Sequence, residues 1–419
     1  MTTRIVCFVS LALVVLAAAL APPISAQPEY DLVLKGGHVI DTANEIDGRM
    51  DIAVKGKTIA RIAESIDASG AGKVVDVSGL YVTPGFVDLH AHPYLCNSGP
   101  LFPDDVWLTT GTTTLVACGD AGWRNFDDFK AKIIDRSKAR VLAFINIVGK
   151  GIAGMEAEHD ITDMDPKKTA AKILEHPDLI VGIKTAHYSN PDWIAIDRSI
   201  EAGRLTDRPI IVDSGILTNT GRTTREKVLD KFRPGDMHTH FYNDRQVEVV
   251  SRFGGKVQPY MWEARRRGVL FDMGHGAGSF LWPVASKAMA DGFPPDTIST
   301  DLHQKSVRAG APDMPNCISK MMLLGMPLAE AIHRSTVTPA ESINKFPEIG
   351  TLGEGKTADI SVLKMEQGIF AFKDAWGKKK MGSRRVRAVM TVREGAIVFD
   401  EDGLGFPLWT EAGEYDKIP

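Results

Sequence analysis

The chain has 419 residues, of which 44% are hydrophobic and 24% are charged, and its formal net charge is −4. These values are ordinary for a globular protein, and the length accommodates a domain of roughly 250 residues plus a smaller unit. The weak charge argues neither for nucleic acid nor for an anionic membrane surface, and we expect no nucleic-acid partner.

Residues 1–26 have the features of a secretory signal peptide. An arginine precedes an apolar run from Ile5 to Ala21, and small residues before Gln27 provide a cleavage site. A retained membrane anchor is the alternative, but the run is short for a membrane span and two prolines follow it. The sequence therefore predicts an exported protein, periplasmic or secreted, with no membrane attachment after cleavage.

Short alternating strands between glycine or aspartate turns occur at both ends of the remaining chain. Each end has few strands and little core, so we expect residues 27–82 and 345–419 to pair into one small β-sandwich. The predicted strands are Asp31–Ile40, Asp51–Lys55, Thr58–Ile62, Val74–Val77, Asp359–Leu363, Val386–Val392 and Ala396–Phe399.

Between these ends, residues 83–344 contain eight apolar runs separated by segments with helical periodicity, such as Phe126–Ser137, Pro166–Glu175 and Pro327–Arg334. Alternating strands and helices predict an α/β fold, and eight such units favour a (β/α)8 TIM barrel with the β-sandwich beside it. Functional residues of such a barrel lie at the carboxyl ends of its strands. The eight runs are Pro84–His92, Thr113–Cys118, Val141–Ile147, Leu179–Thr185, Pro209–Asp213, Asp236–His240, Val269–His275 and Thr297–Asp301.

The first run ends in His90 and His92, two residues apart. Alternate residues of a strand point to the same face, so both imidazoles can bind one divalent metal. A polar strand end that meets solvent is the plainer interpretation. The other runs end in residues rich in metal ligands and titratable groups, namely Cys118, Asn146, Lys184, Asp213, His240, His275 and Asp301.

Lys184 follows the apolar residues Leu179–Ile183, where a buried ammonium costs free energy. One interpretation is that Lys184 pairs with a barrel carboxylate such as Asp213 or Asp301. The other is that burial and nearby metal ions keep the amine neutral, so that it captures carbon dioxide as a carbamate able to bridge two cations.

Pro84–His92 resembles the first-strand signature of the amidohydrolase superfamily, which includes dihydroorotases, D-aminoacylases and related deacetylases. Gly182–Lys184 resembles the strand-four segment whose lysine is carboxylated in binuclear members. Phe271–Phe280 and Pro295–His303 resemble the dihydroorotase-like deacetylase branch. The resemblance covers nearly all of the chain after the signal peptide and implies a metal-dependent hydrolase on the barrel.

The resemblance implies two divalent ions, with zinc as the expected metal, bridged by carboxylated Lys184 and a hydroxide. Asp301 would bind one ion and also act as the catalytic proton acceptor and donor. His238 shares a face with His240, and we expect it to pack in the core because His240 lies nearer the catalytic end. The implied ligands are His90, His92, Lys184, Asp213, His240 and Asp301.

Asp213 departs from the superfamily pattern, since most binuclear relatives have a histidine there. A carboxylate can occupy the same coordination position, which leaves open the metal preference and the occupancy of the second site. His275, His187, Tyr188 and Arg222 are expected to contact substrate, with solvated loop positions as the alternative for the last three.

We therefore expect hydrolysis of a C–N bond in an amide, cyclic amide or N-acyl small molecule. An esterase or lactonase that acts on acylated hydroxy acids with the same residues is the alternative. A non-catalytic exported binding protein is a third reading, supported by Asp213. The sequence does not identify the acyl group or its stereochemistry, and it leaves the formation of a homo-oligomer open.

Overall fold

The computed structural model describes residues 28–94, 99–213, 225–243, 249–251, 254–308 and 313–413. The predicted signal peptide and Arg222 lie outside the described residues. Within the described ranges, no helix is long and apolar enough to cross a bilayer.

Fifteen strands are formed by the described residues, in two sheets. They are β1 Leu32–Asp41, β2 Ile46–Lys55, β3 Thr58–Ala63, β4 Val74–Asp76, β5 Tyr81–Pro84, β6 Phe86–Ala91, β7 Thr112–Gly122, β8 Arg140–Asn146, β9 Ile180–Thr185, β10 Ile210–Asp213, β11 Met237–Thr239, β12 Leu270–Phe271, β13 Ile360–Lys373, β14 Lys379–Arg393 and β15 Ala396–Asp400.

The described α-helices mostly follow the parallel strands. They are α1 Pro103–Val106, α2 Phe126–Lys132, α3 Met155–Glu158, α4 Pro166–Glu175, α5 Ile194–Thr206, α6 Arg225–Asp230, α7 Pro259–Arg266, α8 Trp282–Ala290, α9 Gln304–Arg308, α10 Met314–Leu323, α11 Leu328–His333 and α12 Val337–Ser342. Short 3-10 turns cover Thr42–Asn44, Leu108–Thr110 and Ile134–Arg136.

Helix α4 shows how the sequence sets a helix boundary. Asp165 lies before the helix, and its carboxylate accepts hydrogen bonds from the backbone N–H groups of Lys167 and Lys168. Pro166 occupies the first turn, where its missing N–H costs nothing. Ile173 is among the residues on the buried face, so the helix packs against the strands as its periodicity predicts.

The central sheet has seven parallel strands, β6 to β12, and each pairs with the next one along the chain. This order confirms seven of the eight predicted strands. The carboxyl ends of these strands meet at one edge of the sheet, where His90, His92, Lys184, Asp213 and His240 are found.

The predicted eighth strand, Thr297–Asp301, is not a regular strand, and this prediction is wrong. The segment still lies between the two edges of the sheet, with one parallel bridge from Thr297 to Asp272 and another from Leu302 to Ala91. Regular pairing therefore stops at seven strands, and the predicted ring of eight regular strands is incomplete.

The eighth segment is held by side chains that bond to two buried carboxylates. Thr297 and Ser299 each donate to Asp272 at 2.7 Å. Thr300 donates to Asp88 through its backbone N–H, at 3.0 Å, and through its hydroxyl, at 2.5 Å. These bonds tie the segment to β6 and to the residue that follows β12, and they fix the position of Asp301.

The two chain ends form one mixed sheet of eight strands, in the order β15-β14-β13-β5-β1-β2-β3, with β4 beside β1. The ends come together as predicted, but as one sheet rather than as a sandwich of two. The reason is β5, which pairs in parallel with β1 and antiparallel with β13, so the two halves join edge to edge. Apolar residues of both halves, including Val54 and Val362, share one buried cluster.

Candidate metal centre

His90, His92 and Asp301 converge at the carboxyl end of β6. His92 Nε2 lies 2.9 Å from Asp301 Oδ1, and His90 Nε2 lies 3.6 Å from the same oxygen. Ligands bound about 2.1 Å from one tetrahedral ion are separated by roughly 3.4 Å. All three side chains are buried, and their ligand atoms lie within 4.8 Å of one another. The residues therefore fit a divalent metal ion.

The hydrogen bonds of His92 and His240 fix which ring nitrogen faces the cavity. His92 Nδ1 bonds to the carboxylate of Asp120, and His240 Nδ1 bonds to the carbonyl oxygen of Gly274 at 2.7 Å. A carbonyl or carboxylate oxygen only accepts, so each Nδ1 carries the hydrogen and each Nε2 can present a lone pair. This arrangement is typical of metal-ligating histidines.

A hydroxyl group gives the His90 ring the same orientation, with Nδ1 bonded and Nε2 toward the cavity. Its Nδ1 lies 2.9 Å from Thr239 Oγ1, which donates its own hydrogen to Asp272 at 2.7 Å. Burial, together with the nearby Lys184, holds the pKa of His90 well below its usual value. His90 is therefore a neutral imidazole, the form that binds metal.

Asp301 is buried but ionised. Burial alone would raise its pKa, but the adjacent imidazoles of His92 and His240 lower that pKa to about 2. Its backbone φ is +48°, and Gly276 lies so close that an added Cβ would come within 2.0 Å of Asp301 Oδ2. The carboxylate is thus an anionic group held in one position.

Lys184 is the penultimate residue of β9, with only 1% of its surface exposed, and its Nζ lies 3.4 Å from His90 Nε2. We expected burial to favour the neutral amine. Burial does oppose the charge, but the interactions of the ammonium with Cys118, Asp213 and Asp301 outweigh it and raise the pKa of Lys184. The pKa of the Cys118 thiol is itself raised to about 12 by burial, so the two carboxylates supply the field, and burial alone does not neutralise Lys184.

A second group of ligand atoms lies beside the first. Asp213 Oδ2 is 3.6 Å from His240 Nε2 and 3.5 Å from His187 Nε2. The six ligands expected from the sequence all line one cavity, and Ile152, Ala186, His187, His303 and Lys305 line it too.

The chain resembles known proteins in both sequence and structure. The Amidohydrolase family model matches residues 282–392. A deacetylase from Enterococcus faecalis is 27% identical over 381 residues, which cover 88% of this chain and 99% of that protein. A solved adenine deaminase has a TM-score of 0.81 at 26% identity, and a solved dihydroorotase has 0.76 at 25% identity; each match covers 88% of this chain and 99% of the other.

The chain is therefore similar to the amidohydrolase superfamily in sequence and in structure. Its structural relatives imply a TIM-barrel fold, in which the irregular eighth segment supplies Asp301.

The cavity does not include all the residues that we expected to contact substrate. His187 lines it, but His275 points elsewhere, with Nε2 2.6 Å from Lys320 Nζ and Nδ1 2.9 Å from the carbonyl oxygen of Gly276. Tyr188 donates its hydroxyl hydrogen to Asp192. The structure therefore gives no support for substrate contact by His275 or Tyr188, and Arg222 lies outside the described residues. His238 is buried between the rings of Phe232 and Phe271, away from the ligands.

His303 and Lys305 belong to the cavity but were missed as site residues. His303 Nδ1 accepts a hydrogen bond from the backbone N–H of Lys305 at 3.2 Å, so Nε2 carries the hydrogen. This tautomer is the reverse of the one found at His90, His92 and His240. His303 is therefore suited to donate a hydrogen bond to substrate, and its position two residues after Asp301 was the signal available in the sequence.

Proposed function

We propose that this protein is a metal-dependent hydrolase that cleaves a C–N bond of a small amide, cyclic amide or N-acyl substrate. The observation that carries the proposal is the convergence of His90, His92 and Asp301 in a buried cavity, with both imidazoles presenting Nε2. A bound divalent ion, with zinc as the expected metal, would polarise the substrate carbonyl and supply hydroxide near neutral pH.

Residues of the chain would supply proton transfer, oxyanion stabilisation and substrate binding. The Asp301 carboxylate is ionised and can accept a proton from the attacking water and return it to the leaving amine. His303 Nε2–H can donate to the oxyanion that develops on the substrate. Lys305 lines the exposed side of the cavity, where its ammonium favours a substrate that carries a carboxylate.

Lys184 is proposed to carry a carbamate that holds two ions together. Cations beside Asp213 and Asp301 would offset the negative field that favours the ammonium form. The neutral Nζ would then form a bond to the carbon of carbon dioxide and release one proton to solvent. The two carbamate oxygens could each bind one ion, as in binuclear members that the Gly182–Lys184 segment resembles.

An esterase or lactonase is the second candidate function. The Enterococcus relative is a deacetylase, and a deacetylase can remove an acetyl group from a nitrogen atom or from an oxygen atom. The same residues serve both reactions, because the attacked carbonyl is common to amides and esters.

Turnover of a substrate panel tests the proposal. Metal-free protein would be reconstituted with zinc and assayed against N-acyl amino acids, cyclic amides, acetyl esters and lactones. We expect the highest kcat/KM for an amide or N-acyl compound that carries a carboxylate. A preference for esters or lactones would favour the second function, and metal binding without turnover of any compound would indicate a binding protein.

The carbamate is tested by Lys184→Ala. We expect this variant to lose turnover because the anionic ligand between the two groups is gone, and short carboxylic acids added to the assay should restore part of it. Full activity of Lys184→Ala without added acid would remove Lys184 from the mechanism.

A further inference from the structure

We propose that His187 is a ligand of the second metal ion and that Glu158 holds it in place. The inference rests on the proposed function, because it assumes the metal centre described above. It gives His187 a role in metal binding in place of the substrate contact expected from the sequence.

The position of His187 relative to Asp213 is the first argument. His187 Nε2 lies 3.5 Å from Asp213 Oδ2, and His240 Nε2 lies 3.6 Å from the same oxygen. Both distances are close to the roughly 3.4 Å that separates two ligands of a tetrahedral ion. The carboxylate oxygen is therefore flanked by two imidazole nitrogens at ligand spacing.

The second argument is the bond on the other side of the ring. His187 Nδ1 lies 2.6 Å from Glu158 Oε2, and the Glu158 side chain is 1% exposed. A carboxylate accepts, so Nδ1 carries the hydrogen and Nε2 is the atom turned toward Asp213. His92 and Asp120 form the same carboxylate–histidine pair in the first group, and such pairs orient metal-binding imidazoles.

Electrostatic repulsion among His240, His187 and Asp213 also favours a cation between them. His240 Nδ1 donates to the carbonyl oxygen of Gly274, so the Nε2 atoms of His240 and His187 both face the anionic oxygen of Asp213. Two nitrogen lone pairs and a carboxylate oxygen repel one another unless a proton or a cation lies between them. A divalent ion satisfies all three atoms at once.

The backbone also places His187 in the cavity. Its φ is +44°, in the left-handed region that non-glycine residues seldom adopt. Such conformations cost free energy and persist where the surrounding structure holds them. His187 lies two residues beyond the end of β9, and its Nε2 is 3.5 Å from Asp213 Oδ2.

Metal stoichiometry of His187→Ala tests the inference. Metal-free protein would be titrated with Mn²⁺, with bound metal measured by equilibrium dialysis and the coupling between ions by EPR. Tyr188→Phe is the matched control, because it alters the same loop at a residue whose hydroxyl bonds to Asp192 outside the cavity. Glu158→Gln provides a second variant that keeps the size of the side chain.

We expect the wild type and Tyr188→Phe to bind two ions with a coupled EPR signal. His187→Ala should bind one ion tightly and give the signal of an isolated ion. Glu158→Gln should bind the second ion about 10–100-fold more weakly, because the orienting carboxylate is lost.

Two ions bound by His187→Ala with wild-type affinity would overturn the inference, as would a wild type that binds only one ion. The proposed function fails by a different result: a wild type that binds two ions but hydrolyses no compound of the substrate panel.

Discussion

Four imidazoles of the cavity share one arrangement, with Nδ1 engaged by an acceptor and Nε2 facing a carboxylate of the site. The acceptors are different in kind: carboxylates hold His92 and His187, a hydroxyl holds His90 and a carbonyl oxygen holds His240. His303 has the opposite tautomer. The hydrogen-bond partners thus distinguish the four metal-facing imidazoles from that of His303, which is suited to donate a hydrogen bond to substrate.

Gly276→Ala tests whether the position of Asp301 matters. The added Cβ would lie 2.0 Å from Asp301 Oδ2, so the carboxylate must shift. We expect bound metal to fall and kcat/KM to drop by about 100-fold, the cost of an active-site displacement near 1 Å.

Gly292→Ala is the control for backbone strain. Gly276 and Gly292 have φ of +51° and +81°, but a Cβ at Gly292 meets nothing within 4 Å. Both variants should lose some stability, and only Gly276→Ala should lose metal and activity. Equal metal content and kcat/KM in the two variants would contradict the proposed role of Asp301.

The sequence predicts the metal-facing residues better than the residues that orient them by hydrogen bonds. His90 and His92 are recognisable because two residues of one strand suffice to define their spacing. Thr239, which orients His90, is 149 residues away in the chain, and no local pattern indicates that contact. The His187–Glu158 pair cannot be read from the sequence for the same reason, because it joins helix α3 to the segment after β9.

At the scale of elements, the seven predicted parallel strands form, and the eighth does not. Apolar alternation predicts strands, but the Thr297–Asp301 segment makes only isolated bridges and scattered backbone hydrogen bonds to its neighbours. Its hydroxyl groups bond to Asp88 and Asp272 in addition. Strand β7 is longer than predicted and extends to Gly122. It passes close to Lys184 because Gly119 has no Cβ; an added Cβ would lie 2.6 Å from Lys184 Cγ.

Asp88→Ala tests the link between β6 and the eighth segment. Asp88 accepts hydrogen bonds from Trp107 Nε1 at 2.8 Å and from the backbone N–H of Thr300 at 3.0 Å. Removal of the carboxylate leaves these two buried donors unpaired, at about 1–3 kcal/mol each. We expect the free energy of unfolding, measured by urea denaturation, to fall by roughly 2–6 kcal/mol.

Asp67→Ala is the comparison, because Asp67 is exposed and accepts from the backbone N–H of Ser69 in a surface turn. It should lose much less stability than Asp88→Ala. Equal losses in the two variants would show that the eighth segment does not depend on Asp88.

At the scale of the whole molecule, the chain-end sheet is bonded to the barrel. Asp359 lies at the start of β13 and accepts hydrogen bonds from Arg140 of β8 and Arg393 of β14, at 2.9 Å and 3.0 Å. The Val386 backbone N–H of β14 donates to Ser319 Oγ of α10 at 2.9 Å. The sequence predicts that the two ends meet, but these contacts join separate elements and cannot be predicted from the local pattern of either.

Lys320, next to Ser319 in α10, makes the stability of this packing depend on pH. Burial lowers the pKa of Lys320 from its usual 10.5 to about 8. Between these values the unfolded chain holds the proton and the folded chain does not, so unfolding takes up a proton and stability rises with pH.

Lys320→Met removes this titration. Relative to the variant, the wild type should gain roughly 2 kcal/mol between about pH 8 and about pH 10, at about 1.4 kcal/mol per pH unit. Urea denaturation of both proteins across that range measures the difference. Parallel curves for the two proteins would contradict the lowered pKa.

The most direct test of the metal centre is an anomalous difference map from crystals of the zinc-reconstituted protein, collected at the zinc absorption edge. We predict a peak in contact with His90 Nε2, His92 Nε2 and Asp301 Oδ1, the atoms that converge in the cavity. A catalytically active crystal with no peak at these three atoms would contradict the claim that this cavity is the metal centre.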